Sequence, residues 1–327
     1  MSSRLGPGIY YGIPDFVYHA DCALEPSLSC SFAQVMLETA PGRAAAKHPR
    51  LNPQADPYEP TSAMEEGSAL HRLILDAGPT IKVYEFDAWR SKDAKAAKAS
   101  ARKLGMVPVL AGRYEELKDI ARRVRYQLKH HPEMCRVLDN EVYASEVTLI
   151  WQEDSGCYCR VRVDRFPRHD ASLPMVDFKF TDRLKSPLDW DRTVWDSWWD
   201  MRAAFYTRGS MMLRDGEVSP YVFCVVEKEP PSDLFAMQLT PHFLAIGESR
   251  AESAIDMFER CRTSNEWPGY PRRIFHLSPP AWAETKWMER PPLDMMCPAP
   301  ARRTDRADDE SLLAYIKRDP PNPMRSG

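Results

Sequence analysis

Apolar positions along this chain follow two rhythms, and the switch between them marks its organisation. In the first half they recur every three or four residues, which predicts helices over Ser62–Ala77, 91–104 and 111–130. Gly78-Pro79 ends the first of these, and Gly105 and Pro108 separate the other two. A shorter helix over Phe32–Thr39 takes Ser29 or Ser31 as its N-cap, since either hydroxyl can accept from an unpaired N–H of the first turn. The proline-rich stretch His48–Pro60 reads as a loop. From Glu141 the period falls to two, predicting strands at Val147–Trp151, Tyr158–Phe166 and Pro174–Phe180, with a turn at Gln152–Gly156. A helix ending near Leu213, a turn at Arg214–Glu217, strands Val222–Glu227 and Leu234–Leu239, and a helix over Pro241–Ser264 complete the pattern. This β-β-β-α-β-β-α order behind an N-terminal helical region predicts an α/β fold with a mixed central β-sheet flanked by helices. From Pro291 the periodicity disappears except at Leu312–Ile316, and the Pro-rich, charged tail is expected to be disordered. The expected organisation is an N-terminal extension with short helices (1–60), a main domain (61–275) and a tail (276–327).

Strand alternation also sorts the polar residues. Side chains two apart on a strand share a face, so Asp177 and Lys179 project together while Phe178 turns into the core. Asp164 sits near the end of the preceding strand. Two carboxylates and a lysine converging beside a sheet suit phosphodiester hydrolysis assisted by a divalent metal, with the carboxylates holding a hard cation. A D-x-K triplet by itself is equally what a surface ion pair on an edge strand looks like. Lys179 either accepts a proton, its ammonium being destabilised by lost hydration, or stays charged against the phosphate.

Further motifs accompany the triplet. They are Pro26-Ser27-Leu28-Ser29-Cys30-Ser31 opening a helix, Gly67-Ser68-Ala69-Leu70-His71, Trp89-Arg90-Ser91-Lys92-Asp93-Ala94-Lys95, and Glu146 at the head of a strand. Arg160-x-Arg162-x-Asp164, Val176-Asp177-Phe178-Lys179 and Trp267-Pro268-Gly269-Tyr270 follow in order. In this order and spacing the chain, over residues 8–272, resembles the PD-(D/E)xK nucleases of the exonuclease VIII (RecE-like) type, of phage or prophage origin. The resemblance implies a restriction-endonuclease-like core, a deoxyribonuclease activity and Mg²⁺ or Mn²⁺ as cofactor. It implies 5′→3′ digestion of linear double-stranded DNA from its ends, leaving 3′ overhangs for a phage single-strand annealing protein, with ring-shaped homo-oligomers known in the group. A site-specific or structure-specific endonuclease on the same core, or a catalytically silent DNA-binding protein, are the alternatives.

On this resemblance the metal set is His71, Asp164, Asp177 and the backbone carbonyl of Phe178, with Lys179, Asp177, Asp164 and Glu146 as the catalytic group. His71, beside Leu70, Leu73 and Ile74, reads on its own as a packed core residue. Its imidazole suits Mn²⁺ better than Mg²⁺. Glu146 either binds a second metal, positions a water or is a solvent-exposed strand end. The DNA contacts implied are Arg202, Tyr206, Arg160, Arg162, Ser29 and Ser31. There is one departure: the family's Q-x-x-x-Y helix falls on Arg202 to Tyr206, so arginine replaces glutamine. Arg202 either contacts a phosphate or decorates the helix surface. Trp195, Trp198 and Trp199 divide between core packing and contact with DNA bases.

Charge changes the picture in one respect. The 327 residues carry a net charge of −3, so DNA binding must rely on local basic surface. Lys92, Lys95, Lys98 and Arg102 form one candidate patch, and Arg122, Arg123, Arg125 and Lys129 another; either is otherwise a solvated helix face. The N-terminus has no apolar signal region, no run of about 18 apolar residues exists, and the eight cysteines are scattered, so a cytoplasmic protein with reduced thiols and no membrane contact is expected. Some nuclease relatives bind an iron–sulfur cluster through an early cysteine and a late trio. Cys297 is the one late cysteine here, so no cluster is expected, and Cys157 and Cys159 read as small core residues.

Overall fold

The computed structural model describes residues 4–55 and 59–290. Its first elements are short: β1 (Gly8–Tyr10), α1 (Asp15–His19), β2 (Ser27–Ser29), α2 (Cys30–Glu38) and α3 (Pro41–Lys47). Three longer helices follow, α4 (Ser62–Leu75), α5 (Lys92–Lys103) and α6 (Ala111–His130), with β3 (Ile81–Tyr84) and β4 (Val107–Leu110) between them. Then come β5 (Tyr143–Gln152), β6 (Tyr158–Pro167), β7 (Met175–Thr181), α7 (Asp191–Asp196), α8 (Trp199–Leu213), β8 (Tyr221–Glu227), β9 (Leu234–Gln238) and α9 (Pro241–Ser264). Hydroxyls start the helices: Ser29, Thr61, Ser91 and Thr240 each accept a backbone N–H in the first turn of α2, α4, α5 and α9.

The main sheet runs β1-β5-β6-β7-β8-β9, and β6 is its pivot. The first residues of β6 pair in parallel with β2, from Ser27 opposite Tyr158 to Ser29 opposite Arg160. Its far end pairs with β7 through Arg165 opposite Val176. β7 and β8 are parallel, joined by the α7–α8 crossover that such a pairing needs, so the sheet is mixed. Alternation sends Met175, Phe223 and Val225 into a core with Phe205 of α8 and Phe258 of α9. Val176, Phe178 and Val226 face the opposite way, onto Leu70 and Ile74 of α4 and Val124 of α6. Two glycines set how closely helices approach on the α8 side. A Cβ on Gly209 would lie 2.6 Å from the Trp151 ring, and one on Gly247 would lie 2.2 Å from the Asp200 carbonyl oxygen.

The expected strands and helices of the second half form, while the first half differs in detail. Among the described residues ahead of α4, β1 and β2 belong to the main sheet, and α2 and α3 pack against α9. The Trp267-Pro268-Gly269-Tyr270 motif closes this contact: Trp267 packs on Phe258 at 5.5 Å, and Gly42 N–H donates to the Pro268 carbonyl at 2.9 Å. The parallel β3–β4 pair joins a stretch to which no element was assigned with one that contains Pro108, read as a break between helices. The helix ending at Leu213 is interrupted at Trp198, whose φ of 57° breaks it into α7 and α8. Residues through Pro271 form one compact unit; the second begins at Arg272, and its described residues carry α10 (Ala281–Met288) with none buried. The tail from Pro291, Cys297 and Leu312–Ile316 included, lies outside the described residues. Among those described, no helix is long and apolar enough to cross a membrane.

Candidate metal centre

Three elements bring three ligand side chains to one point. α4 supplies His71, held edge-on against Phe180 at 5.4 Å. β6 supplies Asp164, and β5 supplies Glu146 directly across the ladder, between the pairs Ser145–Arg165 and Val147–Val163. His71 Nε2 lies 3.5 Å from Asp164 Oδ2, and its Nδ1 lies 3.3 Å from Glu146 Oε1. One ligand atom from each residue falls within 4.8 Å of the others. Two carboxylates and an imidazole at this spacing fit a divalent cation such as Mn²⁺ or Mg²⁺.

The backbone is bent to make this arrangement. Glu146 is not a strand end: it lies inside β5 with φ of 54°, left-handed for a residue with a side chain, and is only 16 % exposed. Such a conformation costs on the order of 1–3 kcal/mol and persists where neighbours enforce it. On the other edge of β6, the ladder to β7 ends at Arg165–Val176, and the Phe178 N–H donates instead to Asp164 Oδ2 at 2.8 Å. The sheet opens where Asp164 inserts.

Charge is unbalanced at this point. Burial alone would lower the His71 imidazole, but Asp164 and Glu146 outweigh it and push it up to about 9. Burial raises Asp164 to about 6, with Asp177 and Glu146 adding to the effect against His71. Burial also works against ionisation of Glu146, yet the hydrogen bond from His71 and the Arg162 charge hold it below its ordinary value. A cation would relieve the crowded carboxylates and displace the His71 proton.

Asp177 and Lys179 share the α8 face of β7, as alternation predicted. The Asp177 carboxylate forms an ion pair with the Lys179 ammonium and lies 3.5 Å from Arg202 Nη1. Burial resists its ionisation, but these two cations hold it below the usual carboxylate range. Burial and then the Arg202 charge push the Lys179 ammonium down. Of the residues expected at the metal, His71 and Asp164 meet at one point with Glu146 beside them, while Asp177 is paired with Lys179 and Arg202, and the Phe178 N–H donates to Asp164.

The expected DNA contacts fare unevenly. Arg160 is 2 % exposed and donates to the Ser27 carbonyl and hydroxyl while pairing with Asp21, so it does not reach a surface where a duplex could lie. Arg162 is turned inward onto Glu146 and Asp15. Tyr206 is 5 % exposed and its hydroxyl accepts from Arg202 at 3.0 Å, so it supports that arginine from inside. Ser29 is buried as the α2 cap, its hydroxyl 3.1 Å from that of exposed Ser31. In the basic helices, Lys98 and Arg102 pair with Glu65, Arg122 with Asp119 and Arg125 with Asp76, while Lys92 and Lys95 are exposed. Trp199 stacks on Phe223 at 4.9 Å, and Arg250 sits between Trp195 and Trp198 at 4.0 and 4.1 Å. Sequence reading missed Asp15 and Tyr18, which reach Arg162 from α1; the Pro14-Asp15 helix start was the available signal.

Residues 29–274 match the family described as a PDDEXK-like domain of unknown function (DUF3799). Among solved structures, the chain resembles a "Putative exonuclease" from Eubacterium rectale at 12 % identity, covering 80 % of this chain and 92 % of that one with a TM-score of 0.52, a likeness of fold. No curated protein matches. The match spans β5 to β9, α4, His71, Glu146 and Asp164, so this chain belongs to the PDDEXK-like family and carries the PD-(D/E)xK nuclease fold.

Proposed function

We propose that the protein is a divalent-metal-dependent deoxyribonuclease that digests linear double-stranded DNA from its ends. The observation that carries this reading is the convergence of His71, Glu146 and Asp164 at the point where β6 and β7 part, with Lys179 on the adjoining strand. The family membership supports a nuclease, and the fold shared with the exonuclease-like protein favours end-dependent digestion. The 5′→3′ direction, delivery of 3′ overhangs to a single-strand annealing protein and a ring-shaped oligomer rest on the resemblance to RecE-like enzymes.

His71, Glu146 and Asp164 would hold Mg²⁺ or Mn²⁺, and the imidazole favours Mn²⁺. When bound, the ion supplies Lewis acidity toward a phosphoryl oxygen and acidifies water. The chain's own contribution lies on the α8 side. Lys179, with its ammonium destabilised by burial and by Arg202, can hold or release a proton at Nζ beside the attacked phosphate. Arg202, 31 % exposed and fixed by Tyr206 and Asp177, offers a permanent cation to the phosphate backbone.

The test is digestion of linear DNA labelled at either end, against covalently closed circles, with EDTA, Mg²⁺, Mn²⁺ or Ca²⁺. The reading expects loss of label from the 5′ end first, intact circles, no activity in EDTA, and binding without turnover in Ca²⁺. Cut circles make it an endonuclease, and full activity in chelator removes the metal mechanism.

A further inference from the structure

Arg162 was expected to meet DNA, yet its guanidinium is committed inward. Its Nε donates to Glu146 Oε2 at 2.8 Å, while His71 takes the other oxygen of the same carboxylate. Its Nη2 pairs with Asp15, and the Tyr18 ring covers the guanidinium at 4.9 Å. Asp15 and Tyr18 stand one turn apart on α1, so both reach Arg162 from the same face. All of α1 precedes residue 29, where the family match begins. Glu146 also occupies a left-handed backbone conformation that would relax unless its side chain were held.

We infer that Asp15 and Tyr18 act through Arg162 as positioning residues for the ligand Glu146, so that the segment ahead of the family domain completes the metal centre. This rests on the reading of His71, Glu146 and Asp164 as a metal site. The guanidinium fork can grip a carboxylate on each side, which a lysine cannot. Fixing a ligating carboxylate from behind commonly contributes about 10–100-fold in metal affinity. A guanidinium acting only as a nearby charge has the opposite effect, since it repels an incoming cation. The sign of the change therefore separates positioning from simple charge.

The experiment titrates Mn²⁺ calorimetrically into the metal-free full chain, with thermal unfolding of each protein as a folding control. Asp164→Asn should abolish binding. Arg162→Met should weaken it by roughly 10–100-fold, Arg162→Lys should fall between, and Asp15→Ala should weaken it by about 10-fold. If the wild type binds Mn²⁺ and Asp164→Asn does not, while folded Arg162→Met binds as tightly or more tightly, the positioning role is overturned and the metal site stands. Should Arg162→Met fail to fold, Asp15→Ala decides alone, and unchanged affinity there overturns the role. A wild type that binds no Mn²⁺ removes the metal reading and this inference with it.

Discussion

β6 carries two arginines two residues apart, and they enter two clusters built from the same kinds of side chain. Arg160 joins Asp21, His48 and Arg50; Arg162 joins Glu146, His71 and Asp164. In the first, a fully buried carboxylate is surrounded by donors. Asp21 accepts the Ser27 N–H at 2.9 Å and its hydroxyl at 2.6 Å, and Arg160 stands 3.0 Å away. Burial drives His48 down to about 4, so two guanidiniums and a neutral imidazole enclose one anion. In the second, two carboxylates face one arginine, and His71 is pushed up to about 9. The first cluster is closed and ties β2 to β6. The second is balanced only while His71 holds its proton, and it stands where the sheet opens. Residue types do not separate a structural knot from a metal centre; charge balance and completed hydrogen bonding do.

The largest expected effect falls on activity. Lys179→Ala should lose on the order of a thousandfold in cleavage while remaining folded, because Arg202 still faces the buried Asp177. A well-folded variant digesting DNA at near wild-type rate would refute the assignment of the active face.

Next in size is stability, where the two clusters should part company. Asp21→Ala strands Arg160 and should cost about 3–5 kcal/mol, lowering the melting temperature by roughly 10 °C. Asp164→Asn keeps an acceptor for the Phe178 N–H and relieves carboxylate crowding, so metal-free protein should melt no lower than wild type. Equal losses in both variants would erase the distinction between knot and centre.

The two histidines should respond to pH with opposite signs in chelator. His71 is raised in the fold, so its contribution is complete below about 6.5 and is lost as pH climbs through about 9. His48 is depressed, so its contribution is present above about 6.5 and is lost as pH falls through about 4. Melting curves of His71→Gln and His48→Gln should flatten the alkaline and acid arms respectively. The same arm flattened by both would contradict the charge balance described here.

The smallest expected effect concerns Arg202. If it contacts a backbone phosphate, Arg202→Gln should weaken duplex binding and make the slope of log affinity against log salt shallower by about 0.9. Unchanged binding across several salt concentrations would leave it holding Asp177 alone.

Much of the candidate site was legible because it depends on local alternation. Asp177, Phe178 and Lys179 obey the two-residue period of a strand, and Asp164 precedes them on a similar one. His71 needed the resemblance, since a histidine among leucines carries no local sign of its partners. Arg160 and Arg162 were expected at DNA on the resemblance alone, and nothing local in the sequence shows that they turn inward. Their burial is set by partners far along the chain, Ser27 being 133 residues from Arg160. β1, α1 and β2 span three to five residues each, too few to show a period. The left-handed turn at Glu146 has no sequence signal, because glutamate is not a residue that favours it.

The central claim is that the unbalanced cluster, and not the closed knot, takes the metal. Mn²⁺ titrated calorimetrically into wild type, His71→Ala and His48→Gln at neutral pH, in two buffers of different ionisation enthalpy, tests it most directly. The account predicts binding by wild type and His48→Gln with about one proton released per ion, the proton leaving His71, and loss of that binding in His71→Ala. Undiminished binding in His71→Ala, or no binding by wild type, would contradict it.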